Sequence, residues 1–179
     1  MLKRYLTIVL GAAACASGIS ASAATSTVSP ADRMFAMKAA QGGMAEIAAA
    51  GVAQKNSTNP VILAFAKKMI ADHSMAGKKL AAIAKQNGMM LPMSMAPADV
   101  KMRATMEAMH GVDFDHAYLR GQRMGHAKMA ALFEQEAATG SNPALVAFSK
   151  ATLPTVKEHL ALVTKDMKMK SGGMMKSSM

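Results

Sequence analysis

The sequence predicts an all-α fold, an antiparallel four-helix bundle made of two helical hairpins, and three observations lead there. Apolar residues recur at alternating steps of three and four through four long segments, the period of a helix that buries one face. Two of those segments open alike: Asn59-Pro60 begins NPVILAFAKKMIADH and Asn142-Pro143 begins NPALVAFSKATLPTVKEH. An Asn that caps the first turn and a Pro that needs no amide partner there are a helix start. No stretch has the strict alternation of a half-buried strand.

The chain opens with MLKRYLTIVLGAAACASGISASA, residues 1–23, which has the three parts of a secretory signal peptide. Lys3 and Arg4 carry the charge, Tyr5 to Ala14 is a short apolar core, and Ala21-Ser22-Ala23 is a small-x-small cleavage site. The apolar run is too short to stay in a bilayer as a spanning helix. Cys15 offers a second route, as the lipidated residue of a lipoprotein, although Ala12-Ala13-Ala14 lack the large aliphatic expected three positions before it. Both routes export the chain, to the periplasm or the outer membrane. Cleavage of 23 residues from 179 leaves 156, enough for one domain over 24–170, and takes the single Cys with it. Formal charge falls from +10 to +8 because Lys3 and Arg4 leave. That balance favours anionic lipid or acidic envelope polymers through a general field. Nucleic acid is not an expected partner, since the lysines are dispersed and two Tyr and five Phe make no stacking platform.

Ser29-Pro30-Ala31-Asp32 starts the first mature helix, which should run to about Lys55 with Phe35, Ala39, Gly42, Glu46, Ala49 and Ala53 on its inner stripe. Gly42 and Gly43 each weaken a helix by roughly 1 kcal/mol relative to Ala, so a close approach by a neighbouring backbone, or by side chains around Glu46, is expected there. The second helix, Pro60 to about Asn87, aligns Ile62, Phe65, Met69, His73, Ala76, Leu80 and Ile83, and Gly88 stops it. A Met-rich loop, MMLPMSMAPAD, then leads to a short helix from Pro97 to about Met109 and a break at Gly111. The third long helix, Asp113 to Gly140, aligns Leu119, Gln122, His126, Met129, Phe133 and Ala137. The fourth, Pro143 to about Met169, aligns Leu145, Phe148, Thr152, Thr155, His159 and Leu162, and Pro154 within it should kink it or force a loose turn. Residues 171–179 read as a disordered Met-rich tail.

Depth along the hairpins singles out four side chains. Glu46 lies 14 residues before Pro60 and His73 lies 13 after it, while His126 lies 17 before Pro143 and His159 lies 16 after it. Residues equidistant from an antiparallel turn face one another, so each hairpin offers a level pair, roughly 20 Å and roughly 25 Å from its turn. Burying three imidazoles and a carboxylate costs several kcal/mol unless something satisfies them. A transition metal ion (Cu, Zn or Fe) would do so, with Glu46, His73, His126 and His159 as ligands. A closed hydrogen-bond network with Tyr118 or Asp115 would also do so. Sequence leaves open how far one hairpin slides along the other, hence whether the two pairs make one site or two.

GGMAEI around Glu46, MIADHS around His73, GVDFDHAYL from Gly111, the isolated His126 and LPTVKEHL around His159 together resemble the bacterial "domain of unknown function 4142" family. The resemblance covers about Ser29 to Val163 and implies a ferritin-like bundle, exported, with no established activity. It maps the family's polar motif positions onto Glu46, Asp72, His73, Asp115, Tyr118, His126 and His159. Asp72, Asp115 and Tyr118 are accordingly the expected partners of the ligands. A ferritin-like bundle need not store iron: a di-iron site requires two Glu-x-x-His pairs, and neither His73 nor His126 has a Glu three residues before it. Glu158 is adjacent to His159 and points about 100° away from it.

Catalysis finds little support. The Ser residues that cluster in loops have no nearby His, no general base is apparent, and metal-assisted hydrolysis stays open only if zinc kept a free position. Twenty methionines are a separate signal. Those on helices, such as Met69 and Met129, read as core filler. Met89, Met90, Met93 and Met95 in the crossover loop read as an auxiliary soft-metal site for Cu(I), with reversible oxidation and simple replacement of Leu as alternatives. The expected function is binding of a metal ion in the envelope. The alternative is a metal-free envelope stress or interaction protein whose buried polar residues form a structural network.

Overall fold

The computed structural model describes residues 28–176, the side chains of residues 168–176 excepted. The expected signal sequence and cleavage site, Cys15 and residues 177–179 lie outside the described residues. Five helices follow one another: α1 (Pro30–Asn56), α2 (Pro60–Gln86), α3 (Pro97–Glu107), α4 (Gly111–Thr139) and α5 (Pro143–Lys176). α1 packs along α2 and α4 along α5, and the two hairpins meet through α1 against α4 and α2 against α5. The chain from Asn87 to His110 crosses the length of the bundle, with α3 laid over α1 and α4. Two hairpins joined by one long crossover make an antiparallel four-helix bundle, to which α3 is added. None of the described helices is long and apolar enough to cross a membrane.

The expected starts are built as the sequence dictates. Ser29 and Asp32 form a reciprocal capping box. Asn59 accepts from the Val61 amide, and Asn142 from the Ala144 and Leu145 amides. Gly88 stops α2 with φ of 61°, a left-handed conformation in which a Cβ would be strained. α3 ends two residues before the expected Met109, and α5 runs past the expected Met169 to Lys176. Pro154 neither breaks α5 nor loosens it into a turn. Its ring stands on the exposed side, where water can take the Lys150 carbonyl that loses its amide partner. The buried stripe of α5 passes through Val156 and Val163, not the expected Thr155 and Leu162, with the same alternation of steps in a phase one residue later.

The core falls into two apolar clusters. One includes Ala50, Ala53, Ile62, Phe65, Met69, Phe114, Tyr118, Leu119 and Val163, next to the α1–α2 turn. The other includes Phe35, Ala36, Ala39, Leu80, Ala84, Phe133, Leu145 and Phe148, next to the α4–α5 turn. In every long helix the residues between these clusters include a polar one: Glu46, His73, Gln122 with His126, and His159. The hairpins are therefore held in a register that makes a single polar layer.

Ties at both ends fix that register. Asp32, wholly buried, accepts from the Ser29 amide (2.9 Å), the Ser141 amide (2.9 Å) and the Ser141 hydroxyl (2.7 Å), so the first turn of α1 is bound to the α4–α5 turn. Burial alone would raise the Asp32 pKa, but these bonds win and hold it well below the usual carboxylate range. Asn142 donates to the Asn87 side chain at 2.8 Å, joining α5 to the end of α2. At the opposite end the Ser57 hydroxyl donates to Asp115 at 2.6 Å, and Asn56 donates to carbonyls at the end of α3, the shortest being Met109 at 2.8 Å. Ser29→Ala removes a cap alone and should cost about 1 kcal/mol. Asp32→Ala also removes both charge-assisted bonds to Ser141 and should cost about 2–4 kcal/mol in chemical denaturation; equal losses for the two variants would contradict the tie.

Candidate metal centre

The polar layer brings His73, His126 and His159 together, each offering a ring nitrogen, with the three nitrogens all within 4.8 Å of one another. Ring centroids are 5.3–5.7 Å apart, and the residues are 8%, 1% and 0% exposed. Hydrogen bonding assigns the tautomers. His126 Nδ1 is 2.8 Å from the Gln122 carbonyl, which can only accept, so Nδ1 carries the proton and Nε2 keeps a free lone pair. His159 Nε2 is 2.9 Å from the Asp72 carboxylate, so it is Nε2 that is protonated and Nδ1 that is free. The three nitrogens left over, His73 Nε2, His126 Nε2 and His159 Nδ1, are buried without a hydrogen-bond partner. Burial and the other imidazoles push His73 down to about 3, and burial pushes His126 down to about 4. Burial lowers His159 as well, against the pull of Asp72. All three rings are neutral at pH 7, the protonation state that ligates a metal.

Behind the rings stands a layer of partners. Asp72 also meets Lys68 at 3.1 Å, and Lys68 meets Glu158 at 3.2 Å. Burial would raise the Asp72 pKa, but His159 and Lys68 hold it below its ordinary value, so a carboxylate anion orients the imidazole as around many metal-bound histidines. Glu46 occupies a different place from the expected one. Its Oε1 is 3.7 Å from His126 Nδ1, the protonated side of the ring, and its Oε2 accepts from Gln122 Nε2 at 2.5 Å. The carboxyl thus stands behind His126, outside the cluster of three nitrogens. Burial, opposed by the Gln122 bond and helped by the Asp99 charge, pushes its pKa up to about 8.

Other expected partners are dispersed. Asp115 is committed to Ser57, 11 residues and roughly 16 Å along α4 from His126. Tyr118 is wholly buried in the apolar cluster, its ring stacked on Phe114 at 5.8 Å and its hydroxyl lining a cavity with Glu46 and Gln122. Burial raises its pKa. In the crossover loop, Met89 is packed into the second apolar cluster, Met95 is half-buried, and Met90 and Met93 are each 97% exposed. The four thioethers thus differ in exposure, from core to open solvent.

Two contributors escaped the sequence reading. Gln122 was on the inner stripe, but nothing in the pattern revealed that it would hold both Glu46 and His126. Gly125 leaves room for Glu46, since a Cβ there would lie 2.6 Å from Oε1. Of the two glycines expected at a close approach, Gly42 receives the Met129 methyl, whereas Gly43 has nothing within 4 Å of its Cβ position.

The family model for a domain of unknown function, DUF4142, matches residues 17–165. The chain belongs to the DUF4142 family. Comparison of this DUF4142 protein with curated proteins finds no match. Among solved structures it is similar to a DUF305 fragment from Deinococcus radiodurans, with a TM-score of 0.70 and 11% identity over 79% of this chain and 98% of that one. At that identity the likeness concerns the fold, a helical bundle.

Glu46 gives the pH test its sign. A carboxyl whose folded pKa is raised from 4.5 to about 8 contributes stability below pH 4.5 that is lost as pH rises through 8. Metal-free Glu46→Gln should therefore lose less stability than wild type between pH 5 and 8, by a few kcal/mol in chemical denaturation; parallel curves would mean that Glu46 is not buried as described. Gly125→Ala should displace the same carboxyl and cost about 1–3 kcal/mol, while Gly43→Ala should gain up to about 1 kcal/mol. Thermal unfolding that ranks Gly125→Ala at or above wild type would contradict the packing.

Proposed function

We propose that this DUF4142 protein is an exported metal-binding bundle that holds one first-row transition ion on His73, His126 and His159. The observation that carries the reading is a cluster of three buried imidazoles, each offering a nitrogen within 4.8 Å of the others' and each with one buried nitrogen that has no hydrogen-bond partner. An unpaired buried nitrogen costs about 1–3 kcal/mol. A closed structural network would have paired these atoms with one another or with Tyr118, whose hydroxyl is itself without a partner. A metal satisfies all three nitrogens at once, and imidazole suits Zn, Cu and Fe alike. Asp72 sets the orientation of His159 and supplies the nearest fixed negative charge, while Glu46 adds a second when it ionises. With only three protein ligands, a tetrahedral ion would keep a fourth position for a small molecule.

Binding is the role this supports. The charge on Met1 to Ala23 and its apolar core support export, and the surplus of basic residues supports residence near anionic envelope components. Fractionation that left the uncleaved chain in the cytoplasm would remove the exported part of the reading.

The site itself is tested by equilibrium dialysis against Zn²⁺ and Cu²⁺ followed by metal analysis. Wild type should retain one ion per chain, and His126→Ala or His159→Ala should lose it. Asp72→Asn, which keeps the shape and removes the charge, should bind about 10–100-fold more weakly. Unchanged metal content in both histidine variants would refute the site.

A further inference from the structure

A cavity of about 340 Å³ adjoins the three-histidine layer, with His73 in its lining. Its position follows from helical register. Among its lining residues are Gly43, Ala76, Met129 and Val156, and each is three residues, about one turn, from Glu46, His73, His126 and His159 respectively. All four steps lead toward the α4–α5 end of the bundle. His73 itself lines the cavity, whereas His126 and His159 do not. On the other side of the layer lie Met69, Tyr118 and Val163, each 0% exposed. The cavities lined by Glu46 include none of the three histidines, whereas this one includes His73, so an ion held by the three nitrogens has its free coordination position facing this cavity.

The lining chemistry selects the occupant. Ile47, Leu80, Leu91, Phe133 and Phe148 make the walls apolar. The polar groups are few: His73 at the inner end, Ser74 and Thr152, and Lys78, an exposed residue on the rim. An apolar cavity of about 150 Å³ holds one benzene molecule, so this one takes roughly two rings or a dozen carbon atoms. Three neutral imidazoles leave a divalent ion with its full charge in a dry site, which an anionic donor in the fourth position would reduce.

We propose that this cavity is the binding chamber of the metal centre, taking a small molecule with an apolar body and one anionic donor group, of the medium-chain carboxylate class, whose head completes the coordination of the ion. The inference rests on the three-histidine metal reading and adds the ligand to it. The apolar body fills the space between α1, α2, α4 and α5, and the loop at Leu91 to Met93 borders the chamber.

The test uses the full chain loaded with Co²⁺, whose visible spectrum reports a change in its ligands. Metal analysis first establishes that Co²⁺ is bound. The spectrum is then titrated with acetate, butanoate, hexanoate, octanoate and decanoate. Affinity should rise about fourfold for each methylene buried. Gly43→Leu places a side chain where nothing lies within 4 Å of the Cβ position, on the cavity wall. That variant should keep Co²⁺ and its response to acetate while losing at least tenfold in affinity for octanoate. Bound Co²⁺ whose spectrum ignores every carboxylate, equal affinity for acetate and octanoate, or an unaltered octanoate response in Gly43→Leu would overturn the chamber and leave the metal centre standing. Absence of bound Co²⁺ would overturn both.

Discussion

The constraint on which the molecule turns is the placement of three neutral imidazoles in one layer between two apolar clusters. Neutral rings can be buried where charged ones cannot, and burial itself drives their protonation down, to about 3 for His73 and about 4 for His126. Their proton-bearing nitrogens on His126 and His159 are spent on Gln122 and Asp72, which leaves the lone pairs aimed inward. The layer is thus chemically committed before any ligand arrives. Two helices supply its orienting groups from within, one turn away or across the interface, so a displacement of any helix along its axis would unmake several of these bonds together.

What prevents such a displacement lies at the ends of the bundle. Asp32 binds Ser141, Asn142 binds Asn87, and Ser57 binds Asp115, so each turn is tied to a helix of the other hairpin. These ties are polar and at least partly shielded from water, and they are directional in a way that the apolar clusters are not: an alanine-rich face tolerates sliding by a turn, while a carboxylate that accepts three bonds does not. Stability is supplied by the clusters and register by the ties. The loss of a tie would therefore be felt at the histidines, some four turns away, through the helix that carries them.

This division also explains what could be read from the chain. The paired Asn-Pro starts and the helical period gave the hairpins, and equal depth from each turn put Glu46 opposite His73 and His126 opposite His159. The slide between hairpins depended on Asp32 meeting Ser141, residues 109 apart that no local pattern connects. Asp72 was named as a partner through the family resemblance, yet its hydrogen bond goes to His159 on the other hairpin. Glu46 shared the right depth but was drawn toward Gly125, the one position on α4 where a missing Cβ opens room for its carboxyl. Asp115 looked equivalent by motif and proved to be a turn fastener, since a helix carries polar residues for its ends as well as for its middle. The methionine loop misled for a different reason. Composition counts thioethers without saying where they point, and Met89 faces the core while Met90 and Met93 face solvent.

The asymmetry of the two clusters carries the argument from structure to use. On the α1–α2 side lie large buried residues, among them Tyr118 and Met69. On the other side alanine and glycine predominate on α1 and α2, at Ala39, Ala40, Gly43, Ala76 and Gly77, and these small side chains leave the cavity unfilled. A core under selection for stability alone would fill such a space, because every buried methylene is worth about 0.8 kcal/mol and the helices already present positions that would accept larger residues. Gly43 is the clearest instance: it weakens α1, no neighbour requires its lack of a side chain, and its replacement by a larger residue would close the chamber beside His73. The stability given up at that position makes physical sense if the space itself is what the bundle maintains.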